Sequence, residues 1–211
     1  MLNITTLPVT AFMQNCRILA HDETNDAVVV DPGGDAALIE SFLEQSKLKL
    51  TAILLTHGHL DHAGATATLL KNHPGITVYG PHADDEFLLD SLKTQSLSFG
   101  IPFDGAFKCS YVTDGQELKL FNDASFKVLH TPGHTPGGVC FYCPEENFVL
   151  VGDTIFRESI GRTDFPRGNF DDLIHSIKTK LFTLPDETDV MPGHMEDTTI
   201  GHEKSHNPYV R

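Results

Sequence analysis

Tryptophan is absent from this 211-residue chain, cysteine occurs only four times, and basic side chains are outnumbered almost two to one. The missing tryptophan says nothing about function. Four cysteines, Cys16, Cys109, Cys140 and Cys143, are too few to staple a chain of this length. A disulfide framework is therefore excluded, and a reducing cytoplasm is the expected compartment. Lys and Arg number 15 against 29 Asp and Glu, for a formal net charge of −14. Such a chain lacks the basic footprint that neutralises phosphates, which excludes a nucleic-acid-tracking surface. Bound divalent cations would offset part of that charge locally, with His and Asp as their holders. No apolar run approaches the roughly 20 residues that span a bilayer, so no membrane partner is expected. Residues 1–14 show neither a basic n-region nor an apolar h-region, and no secretory leader is expected.

What is present is ordinary for a globular protein: 40% hydrophobic and 21% charged residues, at a length that suits a single domain over 1–211. Alternating and β-branched runs predict strands at 4–9, 16–20, 27–31, 51–56 and 76–79. Apolar residues at helical spacing predict helices at 36–46, 64–72 and 84–97. The second half is richer in strands, expected at 117–120, 126–130, 139–142, 148–151 and 189–191. Residues 144–147 form the turn between two of these. A helix over 170–181 carries Phe170, Leu173, Ile174, Ile177 and Leu181 on one side. No linker, repeat or low-complexity segment intervenes. Two β-rich halves with interleaved helices predict an α/β architecture of two mixed sheets packed face to face, flanked by helices.

The chemistry concentrates after the buried run at 51–56. There His57, His59, Asp61 and His62 fall within six positions. His57 and His59 can point the same way, while Asp61 and His62 turn toward a neighbouring point as a helix begins. Imidazole is the commonest ligand for zinc and iron-type ions, and a carboxylate adds the charge that holds a borderline cation. Downstream, His134, Asp153 and His194 each follow a predicted strand, each directly after a glycine. Seven ligand-type side chains on four strand-end loops point to one convergent metal site. The donor set suits Zn, Fe or Mn and does not choose among them.

These motifs resemble the metallo-β-lactamase superfamily, and within it the short bacterial members of the glyoxalase II-like group, the hydroxyacylglutathione hydrolases. The resemblance runs through residues 56–62, the His134, Asp153 and His194 loops, and Gly161-Arg162-Thr163-Asp164-Phe165. It implies an αββα sandwich with two divalent metal ions at one edge of the sheets. It implies His57, His59 and His134 on the first metal and Asp61, His62 and His194 on the second, with Asp153 bridging them. Two ions about 3.5–4 Å apart repel, so a shared carboxylate and hydroxide are needed between them. Such a hydroxide forms at neutral pH, because coordination lowers the pKa of water from 15.7 to about 7. It would attack a carbonyl carbon, with Asp61 and Asp153 as the carboxylates of the reacting centre. The substrate this implies is a thioester, S-acylglutathione such as S-lactoylglutathione, giving glutathione and a 2-hydroxy acid. A thiolate of pKa roughly 8.5 leaves without a dedicated acid.

Longer glyoxalase II enzymes carry a C-terminal helical domain that helps hold glutathione. Only residues 195–211 follow the last ligand here, so no such domain is expected. Arg157, Arg162 and Arg167 remain as candidates for a substrate carboxylate, with Arg162 foremost. The alternative role for Arg162 is to fix its own loop through Asp164. The same loop resembles persulfide dioxygenases, which hold one iron on positions matching His57, His134 and Asp153 and act on glutathione persulfide. A relative that binds metals without turnover is a third reading. Nucleases and β-lactamases fit poorly, the first on charge and the second because an expelled amine needs a proton.

The remaining polar residues read as structural. Cys140 and Cys143 would face opposite sides of one strand and not meet. His130 is a strand-end residue beside the site. His21, His73, His82, His175, His202 and His206 read as surface or packing residues, and Asp84-Asp85-Glu86 as a solvated helix start.

Overall fold

The computed structural model describes residues 1–210. The first half builds a five-stranded sheet in the order β1 (Leu2–Val9), β2 (Gln14–His21), β3 (Asp26–Val30), β4 (Lys49–Leu54) and β5 (Thr77–Tyr79). β1, β2 and β3 pair antiparallel, whereas β3, β4 and β5 run parallel. The parallel crossovers carry α1 (Ala36–Gln45) and the pair α2 (Leu60–Ala63) and α3 (Thr66–Asn72). Next come α4 (Glu86–Asp90) and α5 (Leu92–Phe99).

The second sheet has six strands. Four are introduced in chain order, β6 (Glu117–Lys119), β7 (Ser125–His130), β8 (Val139–Cys143) and β9 (Phe148–Gly152). A small hairpin follows, β10 (Ile155–Phe156) against β11 (Ser159–Ile160), then α6 (Phe170–Ser176). The sheet closes with β12 (Asp189–Pro192) parallel to β9, and β13 (Thr198–Thr199) leading into α7 (Ile200–His206).

Alternation along the strands sorts the apolar side chains into layers. In β3, Val28 and Val30 face the second sheet, and Ala27 and Val29 face the helices. In β9, Phe148 and Leu150 face the first sheet, and Val149 and Val151 face outward. The inner layer joins Leu19, Val28 and Leu54 of one sheet to Phe126, Phe141 and Phe148 of the other. Burying each such side chain contributes about 1.5–3 kcal/mol. α1 closes the outside of the first sheet with Ile39 and Leu43. α6 closes the second with Leu173, followed by Ile177 and Leu181. This is the αββα sandwich. Cys140 packs in the outer layer and Cys143 in the inner one, so the two thiols lie on opposite faces as expected.

Three of the four expected helices depart from expectation. The helix expected from residue 64 begins inside the ligand motif, at Leu60, and pauses before Thr66. The helix expected over 84–97 is broken at Ser91, whose backbone leaves the helical region at φ −95°, ψ 4°. The third, expected to 181, becomes a π-helical turn over Ile177–Leu181. Its Phe170 is 48% exposed and does not join the apolar face.

β4, β9 and β12 place their C-terminal ends at one rim of the sandwich. β7 reaches the same rim, because two antiparallel steps through β8 restore the direction of β9. A backbone hydrogen bond from Val139 N–H to the Thr56 carbonyl, 2.8 Å, ties the two sheets there.

Candidate metal centre

All seven predicted ligand residues converge on that rim, in two adjoining groups. In the first, His57 Nε2 lies 3.0 Å from His59 Nδ1, which lies 3.1 Å from His134 Nε2. Three nitrogens at the corners of a tetrahedral zinc site with bonds of about 2.0–2.1 Å would stand about 3.3 Å apart, so the spacing fits a cation. In the second group, His194 Nε2 is 3.2 Å and His62 Nε2 3.8 Å from Asp61 Oδ2. Asp153 stands between the groups. Its Oδ1 is 3.4 Å from His62 Nε2, and its Oδ2 is 3.7 Å from His134 Nε2 and 3.8 Å from His194 Nε2.

Hydrogen bonds behind the rings fix which nitrogen faces inward. Thr56 Oγ1 donates its one proton to Asp31 Oδ2 at 2.7 Å, so at 3.1 Å it accepts from His57 Nδ1–H. His134 Nδ1–H donates to the Arg162 carbonyl at 2.7 Å, and His62 Nδ1–H donates to Asp31 Oδ2 at 2.9 Å. Each turns Nε2 into the site, the orientation a metal-binding imidazole needs. His62 Nε2 and Asp153 Oδ1 are fully buried and have no hydrogen-bond partner. A buried polar atom without a partner costs about 1–3 kcal/mol. A cation between them would satisfy both, and the donor set fits a divalent metal.

The electrostatics divide along the same line. Burial, then the neighbouring His62, His59 and His134, hold His57 well below the usual imidazole range. Burial and His134 hold His59 at about 3. These rings are neutral and ready to coordinate. Burial alone would lower His62, but Asp153, Asp31 and Asp61 raise it well above its ordinary value. Burial would raise Asp153, yet His62, His134 and His194 together hold it far below the carboxylate range.

Two glycines before ligands are required by space. A Cβ on Gly193 would sit 2.5 Å from His62 Cε1 and 2.7 Å from Asp153 Oδ1. Gly152 has a left-handed φ of +50°, and a Cβ there would collide with the Thr56 hydroxyl.

Two supporting carboxylates escaped sequence reasoning. Asp31, at the end of β3 with φ +51°, accepts from Thr56 N–H, the Thr56 hydroxyl and His62. Asp85 was expected in a solvated helix start and is instead fully buried. It accepts from Gly58 N–H at 2.9 Å, Gly137 N–H at 2.6 Å and the Thr135 hydroxyl at 2.9 Å, so it brackets two ligand loops. Burial raises its pKa in spite of those bonds. Four of the histidines read as isolated also have carboxylate partners: His21 with Asp123, His73 with Glu40, His82 with Asp84 and His202 with Glu158. His130 Nε2 donates to the Pro136 carbonyl at 2.9 Å, and its ring stacks on His82 at 4.2 Å, forming with Asp84 a His/Asp cluster separate from the seven candidate ligands.

A cleft of about 520 Å³ opens over the two groups, lined by Phe12, Gln95, Phe99, Phe156, Arg162 and Phe165 among others. Of the three candidate arginines only Arg162 lines it. Its Nε and Nη2 donate to Asp164 at 2.6 and 2.7 Å, and its guanidinium lies 4.3 Å above the Phe165 ring. Arg157 pairs with Glu196, and Arg167 packs over Phe87.

A family profile described as the metallo-beta-lactamase superfamily matches residues 9–194. The chain belongs to the metallo-beta-lactamase superfamily. Among curated superfamily members, it is 46% identical over 211 residues to hydroxyacylglutathione hydrolase GloC of Haemophilus influenzae, covering 99% of this chain and 98% of that one. Among solved structures it is similar to the BLEG-1 B3 metallo-beta-lactamase, with a TM-score of 0.89, 36% identity and 99% of each chain covered. It is likewise similar to TTHA1623 in a di-iron-bound form, with a TM-score of 0.88 and 34% identity over 97% of this chain and 99% of that one.

Proposed function

We propose that this metal-dependent hydrolase cleaves S-acylglutathione thioesters, S-lactoylglutathione among them, giving glutathione and a 2-hydroxy acid. The observation that carries the reading is the pair of donor groups sharing Asp153 at the floor of the cleft. The full-length likeness to a hydroxyacylglutathione hydrolase supports the substrate. His57, His59 and His134 would hold one ion, Asp61, His62 and His194 a second, and Asp153 both. Bound there, the metals would supply ionised water at neutral pH and a Lewis acid for the carbonyl.

The chain's own residues do the rest. Thr56, Asp31 and the Arg162 carbonyl hold three imidazoles in the tautomer that coordinates. Asp61 and Asp153 offset the cationic charge. Outside the two donor groups the cleft lining includes Gln95, Ser159 and Arg162 but, among the described residues, no carboxylic acid or lysine. A leaving amine needs a proton and a thiolate does not, which favours a thioester over an amide.

The test is turnover of S-lactoylglutathione by protein loaded separately with Zn, Fe and Mn, with metal content measured alongside. Cleavage with two ions bound is expected, and no cleavage with any of the three overturns the reading. The loop 161–165 favours a second reading, a persulfide dioxygenase with one iron. The clustering of Asp61 and His194 with the unpartnered His62 Nε2 supports two ions instead. A single tightly bound iron with oxygen uptake on glutathione persulfide would reverse that choice.

A further inference from the structure

The cleft has two unlike ends. Arg162 and Phe165 stand beside the first donor group: Phe165 is 4.8 Å from the His59 ring and 5.8 Å from the His134 ring, and the Arg162 carbonyl holds His134. The opposite end, beside Asp61 and His194, is apolar. Phe156 lies 6.3 Å from the His194 ring. Asn15 bonds to the Gly193 and Met195 carbonyls, which brings the tip of the β1–β2 hairpin, with Phe12, against the His194 loop. Phe12 then meets Phe99, at the end of α5, edge to face at 6.2 Å. Phe12, Phe99 and Met195 are 45%, 50% and 58% exposed, although they line a cleft. Large apolar side chains grouped at an open site mark a surface that is covered when something binds.

We propose that the Phe12–Phe99–Met195 end is an acyl subsite selective for apolar acyl groups larger than lactoyl, and that the thiol portion of the thioester lies toward Arg162. The proposal rests on the thioesterase reading and deepens it. The assignment of ends follows from charge. Glutathione carries two carboxylates, and burying one against Phe12 and Phe99 without a partner is costly. Among the described residues, Arg162 is the one arginine or lysine lining the cleft. Its pairing with Asp164 uses Nε and Nη2, so the outer edge of the guanidinium remains for a substrate carboxylate. An acyl chain directed the other way covers the exposed rings and gains the free energy of leaving water.

The experiment is a chain-length series on the metal-loaded enzyme: S-acetyl-, S-propionyl-, S-butyryl- and S-hexanoylglutathione. kcat/KM is expected to rise about twofold to fourfold per methylene, the upper figure being that of a fully buried CH2. Replacing both exposed rings, Phe12→Ser with Phe99→Ser, should flatten the series, so that the hexanoyl-to-acetyl ratio falls at least tenfold. A second readout uses no turnover. Calorimetric binding of S-hexylglutathione should be tighter than that of S-methylglutathione in the wild type and not in the double variant. Equal kcat/KM across the series, or a ratio unchanged in the variant, overturns the acyl subsite and leaves the thioesterase reading standing. Cleavage of no member overturns both.

Discussion

Asp31→Asn exchanges one oxygen for an amino group at the point where three supports of the metal centre meet. Asp31 Oδ1 accepts from Thr56 N–H at 2.7 Å, and its Oδ2 accepts from the Thr56 hydroxyl at 2.7 Å and from His62 Nδ1–H at 2.9 Å. The asparagine oxygen can keep one of these positions. Its amino group then faces donors, and His62 must present Nδ1 as an acceptor. That places the ring proton on Nε2, pointing at the ion and blocking coordination. Two hydrogen bonds to a charged group are lost at about 1.5–3 kcal/mol each, so the metal-free protein should lose about 3–6 kcal/mol. That is a large part of a typical 5–15 kcal/mol stability. Loss of such a support typically costs 10–100-fold in metal affinity, and here it should fall on the ion nearest His62. Urea unfolding of the metal-free protein and metal titration followed by elemental analysis read the two effects separately. A variant that still binds two ions with unchanged affinity would refute the tautomer argument, whatever its stability.

Gly193→Ala should reduce turnover more than 100-fold, since its Cβ would overlap both His62 and Asp153, and the comparison of kcat with far-ultraviolet dichroism separates this from misfolding. Asp85→Ala leaves three buried donors without an acceptor and should destabilise the protein by about 3–6 kcal/mol, read by urea denaturation. Arg162→Ala should lower kcat/KM about tenfold for glutathione thioesters and much less for N-acetylcysteamine thioesters, which carry no carboxylate; an equal loss on both would assign Arg162 to loop structure alone. Adding zinc or manganese to chelator-treated protein at about 100 times its Kd should stabilise the fold by about 2.7 kcal/mol per site. For a chain of this size that is a rise of several degrees in Tm.

The clustering of the candidate ligands was legible in the sequence because each is announced locally. A buried strand runs into His57, and a strand followed by glycine precedes His134, Asp153 and His194. The supports were not legible, for a physical reason. Asp31 acts on Thr56 and His62, and Asp85 on Gly58, Thr135 and Gly137, all distant in sequence. Neither carboxylate differs in kind from a turn or surface residue until the loops meet. Asp85 is further disguised by Asp84 and Glu86, which make a charge run of the sort that normally caps an exposed helix. The layers were readable from alternation, because Val28 to Val30 and Phe148 to Val151 each serve two cores. A helix start at Asp61 was read from the motif, but the break between α2 and α3 was not, since residues 57–62 carry polar side chains where an apolar helical period would otherwise show.

The rim that holds the site is also where the two sheets cease to be joined by apolar contact. Phe126, Phe141 and Phe148 fill the middle of the sandwich. Toward the rim the connections become polar and directional. Arg17 of β2, nearly fully buried, donates to Asp197, to the Pro192 carbonyl and to Thr6. Asn15 donates from its backbone to the Gly193 carbonyl and from its side chain to Pro192 and Met195. Both residues belong to the first sheet, and both grip the loop that carries His194 from the second. Asp31 plays the reciprocal part for His57 and His62, within the first sheet. Apolar packing alone would let the sheets slide by fractions of an ångström, because the hydrophobic effect is non-directional. Ligand atoms that must stand near 2 Å from a shared ion tolerate much less. The polar grip between β2 and the His194 loop therefore fixes where His194 stands against Asp61 and His62 of the first sheet.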